Sequence, residues 1–471
     1  TNWHVTDIGD STFGRCINQI SWPPHITVPY MTNTILSVAS SSYGRRTIRT
    51  PVADPLPAAI VDSIEELRCL QSASISNPTE DTRRAARHLA DSVRKAIKAH
   101  RALKAKHTHS KIHDLLKNGK DLWRLFNRLR SNKSHLPPAM LDSDGILVSD
   151  HSRVRDIWTE HFANLASEEG DSPLDFDQSF KQAIELEHTR IRAFPGSNPE
   201  LDSDITPEEV AQAISSLKKG TAPGPDGLLT DFFKAGLRYR PPASAPHRND
   251  EPNPFCIAVT ALFQSIFASG RWPEAWRKGI VVPLFKKGNP TDPSNYRGIT
   301  LLPVFSKIMM SIINNRLQTY LESHGRVSEF QAGFRHSRSC QEQIFNLSSI
   351  VEGRKRQGQP TFLVFMDLRK AYDYVWRKGM LVKLSRMGIK GRIWNLLDAS
   401  FARFDRWVRI SSSLPPSDRH PKEEHTFSLP RGLPQGAVES PLCFNIYVED
   451  LVPELSRRDL GVPTPFGKVA I

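Results

Sequence analysis

Several things are missing from this 471-residue chain, and each absence excludes something. No run of about 18 apolar residues occurs, so no membrane span is expected. No CxxC pair occurs, and the five cysteines (Cys16, Cys69, Cys256, Cys340, Cys443) are odd in number and far apart. That argues against a zinc site and a disulfide framework, and for a reducing, intracellular setting. The opening residues, TNWHVTDIGD, have no basic stretch followed by an apolar one, so they do not read as a signal peptide. The lack of an initiator Met suggests a fragment or partial translation. No internal repeat is evident. Proline, by contrast, is abundant at 35 residues, and with a mean hydropathy of −0.41 it points to long irregular stretches.

Net charge is +13, and one segment carries all of it. Between Arg83 and Lys133 there are 16 Lys/Arg against 3 Asp/Glu, and the remaining chain has 47 of each sign. A compact basic block on a balanced protein suits a phosphate backbone. In the same region Leu89, Val93 and Ile97 sit four apart, and Ile112, Leu115, Leu116, Leu122, Leu125, Phe126 and Leu129 continue the stripe. Helix is therefore predicted from about 78 to 129. Six histidines reach to His135 without ligand-like grouping with carboxylates.

Residues 1 to 77 are rich in Ser, Thr and Pro and read as loop, except for a helix over Ala59 to Leu70. Val154, Ile157, Trp158, Phe162 and Leu165 mark an amphipathic helix. ITPEEVAQAISSLKKG predicts a helix with Thr206 as N-cap, Pro207 first and Gly220 at its end. TAPGPDGL is a rigid turn. Further helices are predicted over 255–267, 304–321, 341–357, 380–387, 392–401 and from about 440 to 451. Strands are predicted over 280–285, 404–410 and 426–429.

The stretch TFLVFMDLRKAYDYVW organises the rest. Phe362 to Met366 is unbroken apolar sequence, too short for an ordinary helix, and reads as a strand buried on both faces. It ends on Asp367. Leu368, Ala371, Tyr372 and Val375 then recur at helical spacing. A carboxylate there either holds a divalent cation over a cleft or caps a helix; the residues alone leave both open.

APGPDG, VVPLFKKGNPTDPSNYRGITLL, QAGFR, FMDLRKAYDYVW and GLPQGAVESPLCFNIYVEDL stand in an order that resembles the reverse transcriptases of non-LTR (LINE-type) retrotransposons. The resemblance covers about residues 200 to 460, with weaker similarity back to Trp123. It implies an α+β fold: right-hand polymerase fingers and palm, the palm an antiparallel sheet backed by helices, with a basic helical segment before it and the thumb absent. The implied division is 1–77 poorly structured, 78–135 basic and nucleic-acid-binding, 136–203 a helical linker, 204–264 an N-terminal extension carrying APGPDG, and 265–471 the reverse transcriptase domain.

The resemblance also implies roles. Asp367 takes the family's first catalytic aspartate position, with the Leu368 carbonyl beside it as a Mg²⁺ ligand; nucleotidyl transfer uses two such ions. Lys286, Lys287 and Arg297 would neutralise a triphosphate, Arg297 being favoured. Tyr372 would lie under the incoming sugar and disfavour a 2′-hydroxyl; a core aromatic is the other reading. Asp373 reads as a cap or salt-bridge partner. Gln435 would contact the nucleotide, while Gly432 and Gly436 let the backbone approach. Gln331 and Arg335 would grip the template. Gly298 stands where the family usually has Pro and is expected to loosen the turn. Glu439 replaces an apolar or small residue near the nucleotide pocket.

The family's second carboxylates lie in a Tyr-x-Asp-Asp hairpin, and no two aspartates are adjacent in this chain. The expectation is thus an RNA-directed DNA polymerase domain acting on RNA template, DNA primer and dNTP, truncated before that motif and inactive alone. Nuclear localisation follows from target-primed integration in the family. The alternatives are a remnant that only binds RNA, and an intron maturase or RNA-templated RNA polymerase.

Overall fold

A computed structural model of the chain describes residues 2–3, 7–43, 45–46, 57–76, 80–116, 137, 139–165, 177–238, 253–368, 370–409, 425–458, 462–464 and 467–469. Strand β1 (Asn2–Trp3) pairs antiparallel with β2 (Arg45–Arg46), and between them run α1 (Asp7–Asn18) and α2 (Val28–Tyr43). The expectation of loop before the Ala59–Leu70 helix is therefore not met over α1 and α2, while residues 47–56 lie outside the described residues. Val28, Met31, Ile35, Ala39 and Tyr43 fall at helical spacing and are buried. Their burial outweighs the weak helix preference of the Ser and Thr between them, because packing of one face supplies most helical stability in proteins. Phe13 stacks on Tyr43 and Phe232 at 5.7 and 5.5 Å. These two helices thus share one core with residues 201–446 rather than forming a separate segment.

Helix α3 (Ala58–Ser76) contains the predicted 59–70 helix and packs along α4 (Glu80–Leu116). Leu67, Ala90 and Val93 form a small core there, with Leu89 and Ile97 against it, so the Leu89–Ile97 part of the predicted stripe is the face turned to α3. The remainder of the basic block, 117–133, lies outside the described residues. A short hairpin, β3 (Met140–Leu141) and β4 (Leu147–Val148), leads into α5 (His151–Asn164), whose first turn is capped by Asp150 Oδ2 accepting from Arg153 N at 2.9 Å. The predicted apolar positions Val154, Ile157, Trp158 and Phe162 are buried against Val281 and Tyr296. Residues 140–164 are therefore a cover over the main sheet, not a linker.

Helices α6 (Gln178–Ala193), α7 (Pro207–Ser216), α8 (Thr230–Arg238) and α9 (Pro254–Ser269) follow. Thr206 is the N-cap of α7 as expected, and with Glu209 it forms a capping box. The helix stops at Ser216, however, and Gly220 (φ +68°) sits in the next turn, its N–H donating to Asp231 at 2.9 Å.

Strand β5 (Lys278–Phe285) realises the β-branched run at 280–282, a composition that packs well on a pleated surface. It pairs antiparallel with β6 (Tyr296–Leu301), in register Ile280↔Leu301 through Phe285↔Tyr296. On its other side it pairs in parallel with β7 (Asp405–Val408), Lys278 opposite Asp405. β8 (Phe427–Ser428) closes the order β6-β5-β7-β8. The sheet is mixed, not antiparallel throughout as expected. Gly298 lies within β6 opposite Pro283, not in a turn. A Cβ there would meet the Phe162 ring at 2.6 Å, so glycine at this position lets α5 close onto the sheet.

Behind the sheet α10 (Val304–Ser323) is the central helix; Ile308, Ile312, Ile313, Leu317 and Leu321 are buried, as their spacing predicts. The remaining helices are α11 (Cys340–Arg356), α12 (Arg377–Arg386), α13 (Arg392–Ala402), α14 (Ser440–Val448) and α15 (Leu451–Arg457). β9 (Val462–Thr464) and β10 (Gly467–Val469) make a last hairpin.

The largest departure concerns Phe362 to Met366. These residues form no strand and are exposed, Phe362 to 88% and Phe365 to 83%. A strand needs a partner to satisfy its backbone, and no described strand pairs with this segment. The chain's sheet is completed instead by β7 and β8. Nor is there a helix over 368–375: Asp373 N and Tyr374 N both donate to Lys370 O, at 2.9 and 3.2 Å, closing a single turn with Lys370 at φ +53°.

Candidate nucleotide site

Three chain segments far apart in sequence meet at the outer edge of β6. The Leu433-Pro434-Gln435-Gly436 loop runs along that edge, Thr300 N donating to Gln435 O at 2.8 Å. Its other flank lies on the turn that follows Asp367: Leu433 N donates to Tyr372 O, and Gly432 N to Val375 O, each at 2.8 Å. Glycine is required on both sides. At Gly432 (φ +86°) a Cβ would meet the Asp373 carbonyl oxygen at 2.8 Å, and at Gly436 (φ +111°) the Thr300 oxygen at 2.9 Å. In this geometry the glycines let the protein's own backbone segments approach one another, where the sequence predicts a backbone approaching a nucleotide.

Tyr372 is half-buried, its ring 5.4 Å from that of Phe444 on α14. Burial raises its phenol above the ordinary value. Burial raises the Asp373 carboxyl, while Arg406, Lys370 and Lys286 are near enough to oppose that rise. His161 of α5 lies over the same region, lowered to about 4 by burial, with Asp292, Lys370 and Lys286 around it. It is therefore a neutral imidazole at pH 7.

Lys286, Lys287 and Arg297 are exposed around the β5–β6 turn, Lys286 near enough to act on the Asp373 carboxylate. Lys286 N donates to Asn295 O at 2.9 Å, and Tyr296 Oη to Pro290 O at 2.7 Å, which fix the base of that turn. Gln331 and Arg335 are engaged elsewhere. The Arg335 guanidinium, its side chain only 5% exposed, makes a fork to Glu322 at 2.7 and 2.6 Å and donates to the Ser328 and Gln331 carbonyls. Gln331 Nε2 donates to Asn445 at 3.1 Å. Both side chains thus tie the Gln-Ala-Gly-Phe-Arg turn to α10 and α14, and in this arrangement Arg335 has no free edge for a template.

Asp367 and Leu368 are exposed in coil. Among the described residues no three His, Cys, Asp or Glu side chains gather as metal ligands. One carboxylate and one carbonyl fall short of the oxygen set a Mg²⁺ ion takes, so this geometry does not by itself make the expected metal centre.

Two residues that hold the site together carry no sequence signal or only a faint one. Arg377, at the start of α12, is buried and donates to the carbonyls of Gly432, Leu429, Phe401 and Arg431 at 2.7–3.2 Å. It satisfies the underside of the loop from within, and nothing in the Val-Trp-Arg-Lys sequence marks it. Asp226 of the APGPDG turn accepts from Val304 N at 3.1 Å, capping α10 from a distance. Burial raises it to about 6. Here a clue existed: Pro303 precedes the helix and offers no side-chain acceptor for the orphan N–H groups. Gly224 makes this contact possible, since a Cβ would meet Leu302 O at 2.4 Å.

Residues 285–462 match the family described as reverse transcriptase (RNA-dependent DNA polymerase). The chain is 26% identical over 448 residues, 90% of its length, to a probable RNA-directed DNA polymerase from transposon X-element of Drosophila melanogaster, and spans 43% of that protein. It is 28% identical over 268 residues to the RNA-directed DNA polymerase from mobile element jockey of the same organism, covering 56% of this chain and 26% of that protein. A probable RNA-directed DNA polymerase from transposon BS is 25% identical over 252 residues, 52% of this chain and 25% of that protein.

Proposed function

With residues 285–462 a reverse transcriptase domain related to those of non-LTR retrotransposons, we propose that this chain contributes the nucleotide- and template-binding part of an RNA-directed DNA polymerase. The observation that carries this reading is the joining of the Tyr372 turn to the Gln435 loop on the edge of β6, with Lys286 beside them. Two polar side chains and a cation converge there from separate segments, as recognition of a nucleoside triphosphate requires. In this reading Gln435 contacts the nucleotide, Tyr372 sets the room left for the sugar, and Lys286, Lys287 and Arg297 meet the phosphates. Magnesium would supply charge neutralisation on the triphosphate, with Asp367 one of its ligands. The donor set among the described residues is incomplete. The basic α4 region would hold RNA.

Primer extension on an RNA template, with dNTP or rNTP and with Asp367→Asn as control, tests the proposal. DNA synthesis that Asp367→Asn abolishes supports it. Preferential use of rNTP would point to an RNA-templated RNA polymerase instead. A second reading, an RNA-binding protein without catalysis, is favoured by the exposure of Asp367 off any sheet. It is the outcome if RNA is bound and no nucleotide is added.

A further inference from the structure

Glu439 stands where the resemblance leads to an apolar or small residue, and its surroundings are unusual for an acid. The side chain is 6% exposed, and Oε2 has no hydrogen-bond partner in the protein. It lines a cavity of about 30 Å³ under the nucleotide loop, together with Pro434 and Val438 of that loop and with Trp276 and Lys307. Trp276 Nε1 is likewise buried without a partner. A water needs about 10–15 Å³ and at least two polar partners, so one that bridges Trp276 and Glu439 fits. An uncharged carboxyl is satisfied by such a bridge. An ionised one accepts at about four lone-pair sites, and a buried charge without partners is costly.

The charged groups around the cavity do not meet that need. Arg377 of α12 lines it, but its donors go to four backbone carbonyls. Lys307 of α10 makes no hydrogen bond to Oε2 and stands one turn along from Val304 N, which Asp226 caps. Arg406 lies over the ring of Phe404, another lining residue, at 4.9 Å. Cys443, one turn along α14, is held as a thiol by burial. Burial accordingly pushes the Glu439 carboxyl up to about 7. If that carboxyl ionises, the wall that can give is the loop, since Trp272, Trp276 and Phe401 belong to the main core. Pro434 O accepts from Ala437 N at 3.2 Å and from Ser440 Oγ at 2.8 Å, closing 434–440 into a ring that includes Glu439. Gln435, on the same ring, is fastened to β6 through Thr300 N. We propose that Glu439 is a positioning residue for nucleotide binding: uncharged, it keeps this ring seated on the cavity and Gln435 in place, and charged, it draws water in, lifts the ring and weakens the hold on the nucleotide. This rests on the polymerase reading above and gives it a dependence on pH.

The experiment compares the wild-type protein with Glu439→Gln, which stays uncharged, in primer extension at pH 6 and pH 8. When only the uncharged form binds nucleotide, the apparent KM rises as the inverse of that form's population. The ratio of wild-type to variant KM for dNTP is therefore expected to grow about tenfold from pH 6 to pH 8, while the ratio of kcat values changes less than about twofold. Ionisation of the dNTP itself is common to both proteins and cancels. A KM ratio that does not change with pH overturns the proposal, and so does a pH dependence that falls on kcat alone. Protein labelled with ¹⁵N-tryptophan gives the Trp276 indole resonance, assigned by its loss in Trp276→Phe. That resonance is expected to shift between pH 6 and pH 8 in the wild type and to hold its place in Glu439→Gln. A shift of equal size in both proteins, or in neither, overturns the proposal without reference to catalysis. If the wild-type protein adds no nucleotide, the polymerase reading fails, and the indole resonance still decides whether Glu439 titrates in the cavity.

Discussion

Glu439 illustrates what a single side chain can cost. It caps α14 from a position 6% exposed, its Oε2 without a hydrogen-bond partner, in a small cavity it shares with Trp276, Lys307 and Arg377. Burial raises its carboxyl to about 7. Because the folded value lies above the ordinary 4.5, the folded state holds the proton more tightly, and the associated stability is complete at low pH. It is lost as pH rises from about 4.5 through about 7. Glu439→Gln removes this dependence. The variant is expected to match wild type in urea unfolding at pH 5 and to exceed it by on the order of 2 kcal/mol at pH 8; parallel curves at both pH values would refute the assignment. At this scale the sequence was uneven. The motif order predicted Tyr372 and Gln435 to share a site, and their segments do meet. Arg377 was invisible because its partners are four carbonyls, and a carbonyl carries no side-chain identity. Arg335 was assigned to a template from its motif, yet its fork is closed on Glu322.

Among the elements, the amphipathic helices were the most legible, since spacing alone identifies the face that packs. Helices α5, α9 and α10 lie close to their predicted positions, and α7 begins where predicted but ends short of Gly220. α1 and α2 were hidden by Ser and Thr, whose local preferences do not foretell a partner more than 180 residues away. That partnership runs through Asn18. Its Nδ2 donates to the Gly14 and Gly236 carbonyls at 2.8 Å each, and its Oδ1 accepts from Phe255 N at 3.0 Å. One amide therefore fastens α1 to α8 and α9. Asn18→Ala takes the acceptor from Phe255 N, while Gly236 O keeps the Asn253 Nδ2 donor at 2.9 Å, and is expected to lower unfolding stability by about 1–2 kcal/mol. Chemical denaturation checks this, and a change below about 0.5 kcal/mol would mean that other groups satisfy these atoms. The apolar run at 362–366 failed as a strand for the reverse reason: propensity marks what a segment can form, and pairing needs a second segment.

Across the whole molecule, charge is the feature that composition described best. The described part of the basic block is one long helix whose apolar positions Leu89, Val93 and Ile97 are occupied by α3. That leaves its other faces for a polyanion. Replacing Arg83, Arg84, Arg87, Arg94, Lys95 and Lys98 with Gln should weaken RNA binding and flatten the slope of log K against log salt by up to about 4, at about 0.7 per phosphate for single strands. Filter binding over a salt series measures it, and an unchanged slope would place the RNA elsewhere.

The sheet that supports the nucleotide loop has its own temporal consequence. β5 and β7 lie side by side in parallel although Lys278 and Asp405 are separated by well over a hundred residues. Closing so wide an excursion carries an entropy cost before any contact repays it, and topologies of this kind fold slowly. During synthesis the β5–β6 hairpin is finished early, with one flank waiting. Its β7 flank acquires a partner only after the Tyr372 turn and the two helices that follow it have left the ribosome.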